Sequence, residues 1–242
     1  MHRINVKKVG RIMTIMTLFV MSAVGVKAQE TANMSVGATM LSHYIWRGME
    51  LADASIQPSL KIGWKGLSLT AEGSMGLADA NDLKEFDITL GYQTGAFSFG
   101  LVDYWAETPT EKRYFIYGTH SSNHTFEAFV AYDFGVMKAS WQTYFAGADG
   151  VKSNGERAYS SYFELQAPFR MADFDCLATA AMVPWATTAY ETSGFGVTNL
   201  GLRISKGLPI TDRFKLPVFF EVVGNPTSQR AYVIFGLSIT SN

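Results

Sequence analysis

Two histidine-bearing stretches are where this sequence could do covalent chemistry. His43 follows Ser42, and His120-Ser121-Ser122-Asn123-His124 sets two histidines four residues apart with two serines between them. A serine hydroxyl beside an imidazole is the pairing used in nucleophilic hydrolysis, where the ring takes the hydroxyl proton. Histidines spaced in this way can also share a metal ion. Neither motif is complete. Adjacency in sequence does not make a hydrogen-bonded pair, and two imidazoles with no carboxylate beside them fall short of a metal ligand set. The single cysteine, Cys176, rules out an internal disulfide and any multi-thiolate metal site. No catalytic residue, cofactor or metal is therefore expected. The chemistry left to the chain is that of its charged side chains, and this depends on the elements that position them.

Those elements show period-two alternation along the whole chain after residue 28. Ile56, Pro58, Leu60, Ile62 and Trp64 interleave with Gln57, Ser59, Lys61 and Gly63. After the turn Lys65-Gly66, Leu67, Leu69, Ala71, Gly73 and Met75 take one face, and Ser68, Thr70, Glu72 and Ser74 the other. Phe86, Ile88, Leu90 and Tyr92 repeat the pattern against Glu85, Asp87, Thr89 and Gly91, and the turn Thr94-Gly95 leads to Phe97, Phe99 and Leu101. With runs at 34–47, 124–134, 137–146, 158–170, 174–186, 197–206, 214–223 and 230–239 this predicts twelve strands. Most have the ~9–11 residues that cross a bilayer when tilted. The glycines Gly91 and Gly236 are expected to ease sheet curvature.

Connection lengths alternate as well. Links after even-numbered strands are short (Lys65-Gly66, Thr94-Gly95, Gly135-Val136, Met171 to Asp173, Gly207 to Arg213), whereas 48–55, 76–84, 105–123, 147–157 and 187–196 are longer and more polar. Short turns at one end and long loops at the other are the pattern of an outer-membrane barrel, and an even strand count returns both termini to the short-turn side. The fold class expected is all-β, a transmembrane antiparallel up-and-down β-barrel of twelve strands. A soluble sandwich or lipocalin-like barrel would alternate too. Tyr44, Trp46, Trp64, Tyr92, Trp105, Tyr132 and Trp185, near strand ends, are expected to form interfacial girdles on the lipid face.

The first 28 residues read as a secretory signal. Arg3, Lys7, Lys8 and Arg11 form a positive head, Ile12 to Val26 is an apolar run, and Val26-Lys27-Ala28 offers a cleavage site. The segment holds five of the 20 basic residues and none of the 21 acidic ones, so the mature chain, 29–242, carries a net charge of −6. It has no basic footprint for nucleic acid. Over the full 242 residues the low charged fraction, 17%, and the 17 Phe, 11 Tyr and 5 Trp also argue against a disordered chain.

If the apolar parity faces lipid, the other parity lines the lumen. Arg47, Lys61, Lys138, Arg203 and Lys215 then point inward with Glu72, Glu85, Asp87, Glu127, Glu164 and Glu221. Turning a basic one toward hydrocarbon near the midplane would cost about 2–4 kcal/mol. Such nearly balanced charges either line a wet passage for small polar solutes or pair across the interior and close it. Arg47 shares the outer end of its strand with Glu85, Asp87 and Glu127, any of which it could bridge.

The stretch Ser42-His43-Tyr44-Ile45-Trp46-Arg47-Gly48, with Pro58, Gly66, Glu85-Phe86-Asp87 and Gly91-Tyr92, resembles the TorF-type family of outer-membrane porins. His124-Thr125-Phe126-Glu127-Ala128 and Phe145-Ala146-Gly147-Ala148-Asp149 continue the likeness, which is strongest over 35–135. The resemblance implies a barrel with a pore function and adds no catalytic residue. Barrels of this class commonly end in an aromatic residue read by the barrel-assembly machinery, whereas this chain ends Ile239-Thr240-Ser241-Asn242, with Phe235 the nearest candidate. The expectation is a narrow, weakly selective channel in a Gram-negative outer membrane, in contact with its lipids, the assembly machinery and small polar solutes. A closed structural barrel whose outer loops bind a partner or surface glycan, and a rim-located lipid hydrolase, are the alternatives.

Overall fold

The computed structural model describes residues 32–78, 82–118, 122–211 and 214–241. The segment 1–28, expected to be a signal, and His120 lie outside them. The strands are β1 (Asn33–Leu41), β2 (Tyr44–Trp46), β3 (Met49–Ala52), β4 (Ser55–Trp64), β5 (Leu67–Gly76), β6 (Lys84–Thr94), β7 (Phe97–Ala106), β8 (His124–Asp133), β9 (Lys138–Gly147), β10 (Ser161–Met171), β11 (Phe174–Val183), β12 (Gly196–Thr211), β13 (Phe214–Asn225) and β14 (Arg230–Ser241). Among the described residues, β1 and β4 to β14 form a closed antiparallel barrel of twelve strands, each paired with its neighbours in chain order. Closure comes from β1 against β14, with Val36 opposite Ser241 and Leu41 opposite Gly236. Among the described residues the barrel sheet therefore has no open edge, which is the condition for a sheet to sit in hydrocarbon.

Local chemistry sets the tight turns. Lys65 and Gly66 have φ of 49° and 84°, the doubly left-handed conformation of a two-residue hairpin, and Ala172 takes 53° between β10 and β11. The predicted link 207–213 is shorter than expected, because β12 continues to Thr211 by pairing Gly207 with Pro217 and Leu208 with Leu216. At Gly236 the missing side chain makes room for a ring. The ring of Phe219 lies across it, so close that a Cβ there would meet the ring at 2.2 Å.

The faces are inverted relative to a soluble sheet. Val36, Leu60, Leu69, Phe99, Leu101, Val130, Leu202 and Val233 are exposed, while Glu127, Ser55, Ser161, Thr198 and Asn225 are buried. A soluble barrel places its large aliphatic side chains in the core, and apolar exposure on this scale around a whole circumference suits lipid. The barrel is thus of the transmembrane kind. Leu101, central in β7 and 49% exposed, gives a direct check. Leu101→Arg is expected to destabilise the barrel by about 2–4 kcal/mol in bilayer unfolding titrations. A soluble barrel would accept arginine at an exposed strand position with little change.

The girdle expectation holds at Trp64, Tyr92 and Tyr132, by the short turns, and at Trp185. Tyr92 packs on Phe99 at 5.6 Å, Tyr132 on Phe97 at 4.7 Å, and Trp185 lies 6.1 Å from Trp141. It fails at three positions. Trp105 is covered by Tyr114 from the loop after β7, with ring centroids 5.6 Å apart. Tyr44 and Trp46 are not on the barrel wall at all. The opening strand, expected over 34–47, stops at Leu41, and 44–52 forms a separate hairpin, β2–β3. Ser42 fixes the break, since its N–H donates to the Phe235 carbonyl and its Oγ accepts from the Phe235 N–H, both at 2.9 Å. These bonds end the β1–β14 ladder and release the chain inward.

Candidate functional site

The β2–β3 hairpin turns at Arg47-Gly48, with φ of 52° and 82°. This is the same doubly left-handed turn as Lys65-Gly66, and its second position needs glycine twice over. A Cβ on Gly48 would lie 1.8 Å from the Thr198 carbonyl oxygen on β12. Asn225 Nδ2, on β13, donates to the Gly48 carbonyl at 3.1 Å. On the opposite wall Tyr44 donates its hydroxyl to Glu85, on β6, at 3.0 Å. The hairpin therefore spans the barrel at the end away from Asn33 and Ser241 and is anchored on both sides.

Its tip carries the central interaction. Arg47 makes a two-pronged contact with Glu127 on β8, Nη1 to Oε2 at 2.6 Å and Nη2 to Oε1 at 2.8 Å. Nη1 also donates to the Tyr190 hydroxyl, and Tyr104 donates to Glu127 at 3.1 Å. Fork-on-fork geometry of this kind is among the strongest charge-assisted hydrogen bonding available to a protein. The guanidinium carbon sits 4.4 Å from the centre of the Trp46 ring and 4.7 Å from that of Tyr162. Tyr190 stacks on Trp46, Tyr144 and Tyr162 at 5.8–6.1 Å. The Arg47 and Glu127 side chains keep only 10% and 2% of their exposure. Charges so dehydrated persist only because each finds its partner and further hydrogen bonds.

The inward set is thereby placed. Of the three bridges open to Arg47, the structure makes the one to Glu127. Glu85 is held by Tyr44 instead, and Asp87 Oδ1 is buried without a hydrogen-bond partner among the described residues. Arg203 pairs across the ladder with Glu221, Nε and Nη2 both reaching Oε2 at 2.9 and 2.7 Å. Glu164 accepts from the Tyr162 hydroxyl at 3.0 Å. Glu72 lies opposite Asp87, while Lys61, Lys138 and Lys215 share the inward parity of their strands. Lys61 and Lys215 sit toward the short-turn end. The eleven residues thus do not converge. Arg47 and Glu127 form one site, Arg203 and Glu221 another, and Glu72, Glu85 and Asp87 make an acidic wall on β5 and β6.

Tyr104, Tyr144, Tyr162 and Tyr190, which cradle Arg47, went unassigned in the sequence. The first three had the signal, since Tyr104 shares the parity of Val102, Tyr144 that of Gln142, and Tyr162 that of Glu164. Tyr190 lies on a one-turn helix, Thr188–Tyr190, that follows no alternation.

The histidine motif lies elsewhere. His124 Nδ1 is 2.6 Å from Asp103 Oδ1 and Nε2 is 2.5 Å from the Tyr114 carbonyl, on the outward face beneath the loop after β7. Both ring nitrogens face acceptors, so neither is placed to draw a proton from a nucleophile. Ser122 Oγ accepts instead from the His124 backbone N–H at 3.0 Å. The same loop clasps itself. Hydrogen bonds from Arg113 push the Glu111 carboxyl down to about 2, and the Lys112 ammonium lowers that of Glu107.

No family model and no curated protein sequence matches the chain. Its fold is similar to that of solved membrane barrels. A structure from work on the in-meso crystallization of membrane proteins gives a TM-score of 0.51 at 7% identity, covering 86% of this chain and 83% of that one. KdgM porin in complex with disordered oligogalacturonate gives 0.48 at 7%, covering 88% and 99%. NanC porin gives 0.44 at 8%, covering 86% and 98%. The class is a closed, twelve-stranded transmembrane β-barrel with a polar interior.

Proposed function

We propose that this chain is a channel-forming barrel of the Gram-negative outer membrane. It passes small polar solutes through a lumen narrowed at its extracellular mouth by the β2–β3 hairpin. One observation carries the reading. A loop that could lie free above the barrel is instead drawn into it and held there by Arg47 on Glu127. A structural barrel has no need of a polar, charge-paired device in its bore, whereas a channel uses one to set its width. The Ser42-to-Gly48 element keeps the TorF-type porins as the proposed relatives, and it supplies the hairpin tip itself. The apolar run after Arg11 supports export, and the barrel-assembly machinery would then insert the mature chain.

The charges point to weak cation preference. Both inward arginines are matched by carboxylates, which leaves Glu72, Glu85 and Asp87 crowded on adjacent strands beside the hairpin. Carboxylates gathered in a low-dielectric wall concentrate cations. In planar bilayers the wild type is expected to show discrete steps favouring K⁺ over Cl⁻. Asp87→Asn combined with Glu72→Gln should move the reversal potential toward zero with little change in step size. An unchanged reversal potential would remove the acidic wall from the conducting path.

The chemistry at His124 does not favour the hydrolase alternative. Loss of lipid hydrolysis on His124→Ala in a purified preparation would revive it.

A further inference from the structure

On the opposite side of the hairpin from the Arg47 cradle, His43, Glu50 and Asp53 bring one ligand atom each to within 4.8 Å of one another. His43 precedes β2, Glu50 lies in β3 and Asp53 follows it, so the three groups span both legs of the hairpin at its base. Backbone geometry brings them together. Tyr44 pairs with Ala52 but Ile45 pairs with Glu50, so Leu51 is an extra residue, a bulge. The two-residue turn already sets Trp46 opposite Met49 and Ile45 opposite Glu50, and in a regular ladder Tyr44 would then face Leu51, leaving Asp53 on the other face from Glu50. The bulge brings Asp53 onto the face of His43 and Glu50, and re-aiming a side chain is a recurrent use of bulges near sites. The His43 ring is also oriented from outside the cluster, its Nδ1 lying 3.3 Å from Ser42 Oγ, the hydroxyl that ends the barrel ladder. A ring tied through one nitrogen presents the other in a fixed direction, the usual support behind a metal-binding imidazole. Glu50 and Asp53 are exposed and His43 half-buried, so an ion can enter from the extracellular side. Arg230, at the start of β14, lines the same small cleft as Glu50 and is a competing cation.

We propose that His43, Glu50 and Asp53 form a binding site for a first-row divalent transition metal, Zn²⁺ by preference, that staples the two legs of the mouth hairpin together. One imidazole and two carboxylates suit such an ion, with water completing its shell, whereas Ca²⁺ and Mg²⁺ select all-oxygen sets. The stapling consequence rests on the hairpin being the channel's throttle. The metal site does not.

The test is calorimetric titration of the refolded, tag-free mature chain with ZnCl₂, with Co²⁺ absorption as a spectroscopic check. Heat-modifiable gel mobility shows that each variant has folded. One Zn²⁺ per chain is expected, undisturbed by a hundredfold excess of Ca²⁺. His43→Ala should weaken binding about tenfold or more, Glu50→Gln and Asp53→Asn should each weaken it, and His120→Ala should leave it intact. Zn²⁺ binding that survives His43→Ala, that follows His120, or that Ca²⁺ displaces would overturn the site. Conductance is read separately. Zn²⁺ that binds as expected supports the site even where the step size stays constant, and a constant step size would count against the throttle alone.

Discussion

Arg47→Ala is expected to enlarge the single-channel step severalfold and to lower the unfolding temperature of the barrel. The guanidinium binds the hairpin tip to the wall at β8 through Glu127, and its removal leaves Glu127 buried with its positive partner gone. Breaking a buried pair from one side costs about 3–5 kcal/mol, most of it the penalty of the stranded charge. Packing of the Arg47 stem and cation on Trp46 and Tyr162 adds about 1 kcal/mol or more. The hairpin can relieve this loss by leaving the mouth, which lets water reach Glu127 and widens the path. A second substitution separates the two effects. Glu127→Gln in the Arg47→Ala background removes the stranded charge and should recover part of the stability, while the step stays large. An Arg47→Ala barrel with native step size and native unfolding would show that the contact neither braces nor narrows the mouth.

Gly48→Ala tests the same device through the backbone. Left-handed φ at an L residue costs about 1–2 kcal/mol. More important, the new methyl meets the carbonyl of Thr198, a bulge residue of β12 fixed between Val197 and Asn199, which are both paired with β11. The tip must move. Gly95 is the control, since it too has positive φ, 57°, but nothing lies within 4 Å of its Cβ position. Gly95→Ala should cost the dihedral penalty alone and leave conductance at the native value. Gly48→Ala should raise conductance toward that of Arg47→Ala. Equal behaviour of the two alanine variants in the bilayer would mean that close approach at the mouth is not what holds the hairpin.

The barrel was legible in the sequence because alternation in a membrane barrel is enforced on both faces. Lipid admits Leu60, Ile62 and Leu69 but not Lys61 or Glu72, so parity and strand number could be read with no knowledge of pairing. The hairpin was not legible for a related reason. Tyr44-Ile45-Trp46-Arg47 continues the rhythm of β1, and nothing local marks the departure at Leu41. That break depends on Ser42 meeting Phe235, nearly two hundred residues away. Arg47 could be matched to a set of three carboxylates from parity and height. The choice of Glu127 follows from how far the hairpin reaches across the mouth, which only the folded chain defines. The tyrosines around Arg47 were hidden by an assumption. Aromatics near strand ends suit a girdle, and at Trp64 and Tyr92 they form one, yet Tyr104 and Tyr162 had the parity of the lumen.

The most direct test of a throttled channel compares the native mature chain with one in which Tyr44–Ala52 is replaced by a short Gly-Ser turn, both refolded into planar bilayers. Since β2 and β3, among the described residues, pair with each other and not with the barrel, the barrel ladder survives the replacement. Small discrete steps from the native chain and markedly larger steps from the shortened one are the predicted result. Equal steps, or silence from both folded barrels, would contradict it.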